Sequence, residues 1–174
     1  HTTTRRQRQM CIRDRVNGEM TYVPVNGCIQ YLYQLDGCHV VTIEGLKDND
    51  ALNPVQEAMM NCHGAQCGYC TPGIVVTMCA MFKDKTDGKS TTQQDIKDCL
   101  TGNLCRCTGY EPILKAGQSE VLSQGVQLPI LTPSADMLED LKTSQIQSVL
   151  IEHDGRVVFN PTTLEEAVAF KADN

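Results

Sequence analysis

Two tight cysteine pairs constrain this chain more than any other feature of its sequence. Cys67-Gly68-Tyr69-Cys70 and Cys105-Arg106-Cys107 are separated by the 34 residues from 71 to 104, and Gly73, Gly102 and Gly109 lie close beside them. Ten cysteines in 174 residues first suggest a secreted disulfide scaffold. Pairs this tight cannot staple distant segments, and no apolar signal-peptide core stands near the start. Reduced thiolates gathered around a metal explain the pattern better.

Composition removes several other classes. Fifteen basic residues against 21 acidic ones, a net charge of -6, leave no basic face for nucleic acid. The longest apolar run, residues 74–82, contains Thr77 and is about half the roughly 18 residues that a membrane span needs. The reading is an acidic, cytoplasmic chain with no nucleic-acid and no membrane partner.

The periodicity divides the chain. Residues 1–15 hold five arginines, one acid and no apolar period, so they read as a disordered or non-native segment. Residues 16–47 contain short β-rich runs at 20–25 and 39–43, the first preceded by Asn17-Gly18, a hairpin signal. Between them, residues 28–35 suit one or two helical turns. Such a small unit should lean on the segment after it.

Residues 48–125 are helical. Pro54 suits a first helical position, with Val55, Ala58, Met59 and Cys62 as the apolar face. Pro72 opens a second helix carrying Ile74, Val75, Met78, Cys79 and Phe82, closed near Gly88. Thr91 or Thr92 caps a third with Ile96, Cys99 and Leu100 inward, and Pro112 opens a fourth with Ile113, Leu114, Val121 and Leu122 for the core. Residues 126–148 read as a linker with one helical turn at 137–141. Residues 149–174 begin a new unit: a hairpin across Asp154-Gly155, then a helix capped by Pro161-Thr162-Thr163.

In a four-helix bundle the first cysteine pair falls at the N-terminal end of the second helix and the second pair in the loop between helices three and four. Antiparallel packing brings both to one pole. A binuclear iron-sulfur cluster needs four thiolates, two per iron, on a closely wrapping backbone, which Gly68, Gly73, Gly102 and Gly109 permit. Its core charge of about -2 suits a helix N-terminus and Arg106 as neighbours. The alternative is a non-enzymatic module with a structural zinc on the same four cysteines. Cys-x-Cys between Gly-Asn-Leu and Thr-Gly-Tyr is unusual for zinc knuckles. Cys62, Cys79 and Cys99 read as core packing, as do Met59, Met60, Met78 and Met81; His63 reads as a partner of helix-end carbonyls.

QCGYCTPGIVVTM with GNLCRCTGYEPI resembles the iron-sulfur domain of the molybdenum hydroxylases, the xanthine dehydrogenase family, over residues 25–116. The resemblance implies that Cys67, Cys70, Cys105 and Cys107 ligate the [2Fe-2S] cluster nearest the molybdenum, and that Gln66 and Cys107 lie against the molybdopterin of a partner large subunit. Residues 40–46 are similar to the last strand of the family's plant-type ferredoxin-like domain. Cys28 falls where that domain supplies the fourth ligand of a second cluster, but the C-x4-C-x2-C loop for the other three is absent, and Cys11 and Cys38 cannot replace it by spacing. VVFNPTTLEEAVAF resembles the opening of the family's FAD-binding domain.

The fold implied is α+β: a truncated ferredoxin-like (β-grasp) remnant, an all-α four-helix [2Fe-2S]-binding bundle, then the start of an α+β FAD-binding domain. The function implied is oxidoreductase electron transfer, from a molybdenum cofactor on another chain through [2Fe-2S] toward FAD and NAD. No residue here is expected to be catalytic. Purine is the expected substrate class.

Overall fold

The computed structural model describes residues 9–16, 19–47, 50–83, 91–123, 125–132, 134–144 and 147–173, with only the backbone described for residues 9–16, 19–21, 142 and 144. The chain is α+β and forms two compact units, His1–Ile29 with Val40–Thr132 and Gln30–His39 with Pro133–Asn174.

The first unit opens on an antiparallel sheet of order β2-β1-β3. Strand β1 (Gln9–Val16) pairs with β2 (Glu19–Asn26) from Gln9 opposite Asn26 to Val16 opposite Glu19, and its other edge takes β3 (Val40–Val41). Asn17-Gly18 itself lies outside the described residues, as do residues 1–8 and Gly88. Residues 9–15 therefore depart from the disorder expected of residues 1–15. A segment with no period of its own becomes a central strand because two neighbours satisfy its backbone groups. The expected strand at 39–43 shrinks to two residues, and a 3-10 turn at Ile43–Leu46 carries Leu46 into the core.

Four helices come next, each packed on two of the others: α1 (Pro54–Asn61), α2 (Thr71–Phe82), α3 (Gln93–Cys99) and α4 (Glu111–Gly117). Local signals set their ends. Asn53 caps α1 by accepting from the N–H groups of Val55 and Gln56, while its amide donates to the Leu46 carbonyl at 2.8 Å. His63, in the left-handed region at φ 54°, closes α1: its N–H reaches Met60 O and that of Gly64 reaches Met59 O. Thr92 caps α3 in a capping box with Asp95. Helix α2 is apolar on nearly every side, and Gly73, Ile74, Val75, Val76, Thr77, Met78, Cys79 and Phe82 are all buried. Such a helix is stable only when covered, and α1, α3 and the sheet cover it.

Several expectations need correction. The fourth helix stops at Gly117, a poor helix former, and a separate turn α5 (Glu120–Ser123) restarts out of phase, so Leu122 is buried while Val121 is 61% exposed. Met60 is 58% exposed because it falls on the outer side of the Val55–Ala58–Met59 face. Residues 126–131, read as linker, close the core: Val126, Leu128 and Leu131 are buried, and the Val126 N–H donates to Phe82 O at 3.1 Å. The Tyr22 hydroxyl donates to Ile130 O at 3.3 Å, tying the sheet to that segment.

In the second unit the expected turns after Cys28 become one 3-10 turn, Leu32–Leu35. The single turn expected at 137–141 is the helix α6 (Ala135–Ser144). Strands β4 (Val149–His153) and β5 (Arg156–Asn160) form a hairpin whose turn residues Asp154 and Gly155 both have positive φ, 49° and 71°. Helix α7 (Leu164–Asp173) ends the unit, and Phe170 packs on Phe159 with ring centroids 4.6 Å apart.

Asn53→Ala should cost about 2 kcal/mol or more, because it removes a helix cap and leaves the Leu46 carbonyl without its donor. Asn53→Ser keeps a capping oxygen and should recover part of the loss. Denaturant unfolding of the cluster-loaded chain checks this; wild-type stability in the alanine variant would rule out Asn53 as a structural tie.

Candidate metal centre

The loop from α1 to α2 carries Cys67 and Cys70, and the loop from α3 to α4 carries Cys105 and Cys107. Cys70 is the N-cap of α2, so it sits at the positive end of a 12-residue helix. Gly68 and Gly109 adopt φ of 76° and 66°, values at which a side chain is strained, and each lets its loop turn back beside a cysteine.

The four thiols, none in a disulfide, meet as two pairs. The Cys107 Sγ donates to Cys67 Sγ at 3.6 Å, and both residues are exposed. Cys70 and Cys105, both buried, hydrogen-bond to one another. A cavity of about 180 Å³ is lined by Cys67, Tyr69, Cys70, Leu104, Arg106 and Cys107.

Each pair joins a proton-rich sulfur to a proton-poor one. The backbone N–H of Tyr69 and the donated Cys107 thiol hold Cys67 below the ordinary thiol range, and that bond to Cys67 pushes Cys107 up. Burial, then its bond to Cys105, raises Cys70 to about 12. At Cys105 burial opposes ionisation, but the Thr108 hydroxyl, the N–H groups of Thr108 and Cys107 and the Cys70 thiol outweigh it, leaving the thiol at about 7. A metal that takes thiolates displaces the remaining protons.

A single tetrahedral zinc at about 2.3 Å from each sulfur would hold all four sulfurs roughly 3.8 Å from one another. A binuclear cluster asks for two sulfurs per iron. Cys67 and Cys107, 3.6 Å apart, are close enough to share one metal ion of either kind, and the set of four thiols, three of which line one cavity, fits the cluster.

Comparison with known proteins agrees. Residues 42–118 match the family described as [2Fe-2S] binding domain. Over 104 residues, 59% of this chain and 8% of the relative, the chain is 43% identical to xanthine dehydrogenase 1 of Arabidopsis thaliana. Identity is also 43% to the xanthine dehydrogenase of Blastobotrys adeninivorans, over 61% of this chain and 7% of that protein. The crystal structure of quinoline 2-oxidoreductase from Pseudomonas putida 86 superposes with a TM-score of 0.57 at 28% identity, covering 67% of this chain and 65% of that one. The chain is similar, through its [2Fe-2S] binding domain, to the iron-sulfur region of these xanthine dehydrogenases. It spans less than a tenth of the length of the two xanthine dehydrogenases, within which it matches the iron-sulfur region.

The other expected site residues lie around this centre or away from it. Gln66 is exposed beside the outer pair Cys67 and Cys107. Cys28 is exposed just after β2, where its N–H donates to Asn26 Oδ1 at 3.0 Å. Cys79 is buried in the core with its thiol toward Asn53 Oδ1, and Cys99 is half-buried with its thiol toward Thr77 O.

Tyr110, Asn103 and Thr108 carry site roles that residue types alone do not announce. The Tyr110 hydroxyl donates to Asn103 O and accepts from the Cys105 N–H, both at 2.7 Å, so it clamps the loop on the two sides of Leu104. Asn103, buried, accepts from Thr77 Oγ1 of α2 at 3.2 Å. Tyr110 itself is left-handed at φ 68°, a conformation that costs roughly 1–3 kcal/mol outside glycine and persists only where surroundings enforce it. The only sequence cue was a tyrosine placed directly after the loop glycine.

Tyr110→Phe keeps the ring and removes both hydroxyl bonds, leaving two backbone groups unsatisfied at roughly 1–3 kcal/mol each. Iron should leave this variant several-fold faster under a chelator than it leaves wild type. Equal rates would mean that the clamp does not hold the loop.

Proposed function

We propose that this chain carries electrons one at a time from a molybdenum cofactor on a partner chain toward FAD and then NAD, through a [2Fe-2S] cluster on Cys67, Cys70, Cys105 and Cys107. The observation that carries the reading is the arrangement of the thiols as two pairs, with Cys67 and Cys107 at 3.6 Å. The exposed Cys67 and Cys107 would hold one iron and the buried Cys70 and Cys105 the other. When bound, such a cluster supplies a one-electron carrier. The N-terminus of α2 and Arg106, which lines the cavity, offset its negative charge.

No residue in this reading acts as acid, base or nucleophile on substrate; hydroxylation belongs to the molybdenum-binding large subunit. The exposed end, with Gln66 and Cys107, is the face toward the pterin. Residues 16–47, which carry β2 and β3, are the remnant of a plant-type ferredoxin-like domain, residues 48–125 are the four-helix cluster-binding bundle, and residues 149–174 open an FAD-binding domain. A hairpin leading directly into α7 supports the last assignment. Cys28 is an orphan ligand of a second cluster.

Reconstituted chain should contain about two irons and give a single paramagnetic [2Fe-2S] signal after dithionite reduction. Cys105→Ser should lose most of the iron and lower thermal stability, whereas Cys79→Ser should keep the iron. A colourless chain holding zinc, or four irons with two signals, would overturn the assignment.

A second test addresses the face. Gln66→Arg places a bulky charge where the partner must come close, and should weaken co-purification with a molybdenum-binding large subunit by tenfold or more while leaving the visible spectrum intact. Undiminished co-purification would move the interface elsewhere.

A further inference from the structure

We infer that Thr108 is a positioning residue that sets the reduction potential of the cluster through a hydrogen bond from its hydroxyl to the sulfur of Cys105. The inference rests on the reading of Cys105 as a ligand.

Thr108 Oγ1 lies 3.2 Å from Cys105 Sγ, a separation at which either atom could donate. Coordination decides the direction. A cysteine bound to iron has lost its proton, so the hydroxyl is the donor that remains and the sulfur is the acceptor. The same hydroxyl oxygen accepts the Tyr110 N–H at 3.2 Å. That bond occupies one side of the oxygen and leaves its proton for the sulfur. Tyr110 is fixed in turn by its hydroxyl bonds to Asn103 O and Cys105 N–H. Thr108 is therefore held from both ends within a short closed loop, and among the described residues it provides the side-chain hydroxyl bonded to one of the four sulfurs.

Reduction adds one electron to the iron-sulfur core, with no bond made or broken by Thr108. The added negative charge spreads onto the ligand sulfurs. An O–H dipole aimed at one of them favours the electron-rich form, as hydrogen bonds to cluster sulfurs do in general. Cys105 is buried, so water competes little with this dipole. Removing the hydroxyl should make the cluster harder to reduce.

The test uses the full chain loaded with its cluster, in wild type and in Thr108→Val, Thr108→Ala and Thr108→Ser. Midpoint potentials come from a redox titration followed by the visible and paramagnetic signals. Val and Ala should shift the midpoint to more negative values, while Ser, which keeps the hydroxyl, should stay near wild type. A midpoint unchanged in a cluster-bearing Val or Ala variant overturns the inference. Loss of iron from both, with Ser intact, also overturns it, because the hydroxyl would then hold the cluster without setting its potential. Failure of the underlying reading looks different: wild type would lack the [2Fe-2S] spectrum, or Cys105→Ser would retain it.

Discussion

Helix α2 has almost no solvent-facing side between Gly73 and Cys79, and both thiol loops are tied to it. Cys70 is its N-cap, Thr77 in its middle donates to Asn103 at the start of the second loop, and its last residue, Phe82, accepts the Val126 N–H. A helix this apolar does not stand alone in water. Its cover by α1, α3, the sheet and residues 126–131 is thus the condition on which the two thiol pairs meet. A slip of one residue along the helix axis would move Cys70 by about 1.5 Å, several times the roughly 0.2 Å tolerance of a metal–sulfur distance.

What could be read from the sequence was what depends on neighbouring residues. Pro54, Thr92 and Asp154-Gly155 act within a turn of themselves, and the structure uses all three as their chemistry dictates. The position of the two cysteine pairs at one end of the helices came from helix order, because antiparallel packing leaves little choice. The failures involve distance or phase. Residues 9–15 have no pattern of their own and become a strand only through β2 and β3. Val121 changes sides because the helix breaks after Gly117, and residues 126–131 look like a linker until Phe82 and Tyr22 are seen to hold them. At the site, Tyr110 and Thr108 were invisible for the same reason, since their partners are fixed only once the loop closes.

The two thiol pairs differ in setting as well as in position. Cys70 and Cys105 lie in the protein, where charge is costly unless hydrogen-bonded, and Cys105 receives those bonds from Thr108 and two backbone N–H groups. Cys67 and Cys107 lie at the surface, where water screens charge. A structural zinc would gain from burial of all four sulfurs together, since its purpose is to fasten the fold. An electron carrier gains from the opposite arrangement, with one edge fixed inside and the other open to a donor.

The surroundings of the open edge extend that argument. Leu104 is 69% exposed and Tyr69 is 46% exposed, and both line the same cavity as Cys67 and Cys107. Scattered exposed apolar residues need no explanation, but these two share a cavity with the exposed thiols, and each directly precedes one of the buried cysteines. Covering them would remove apolar surface from water at about 25 cal/mol per Å². It would also lower the local dielectric around the outer pair and strengthen every hydrogen bond that reaches its sulfurs. Docking of a partner on this face would therefore alter the environment of Cys67 and Cys107 far more than that of Cys70 and Cys105, which are already buried in this chain.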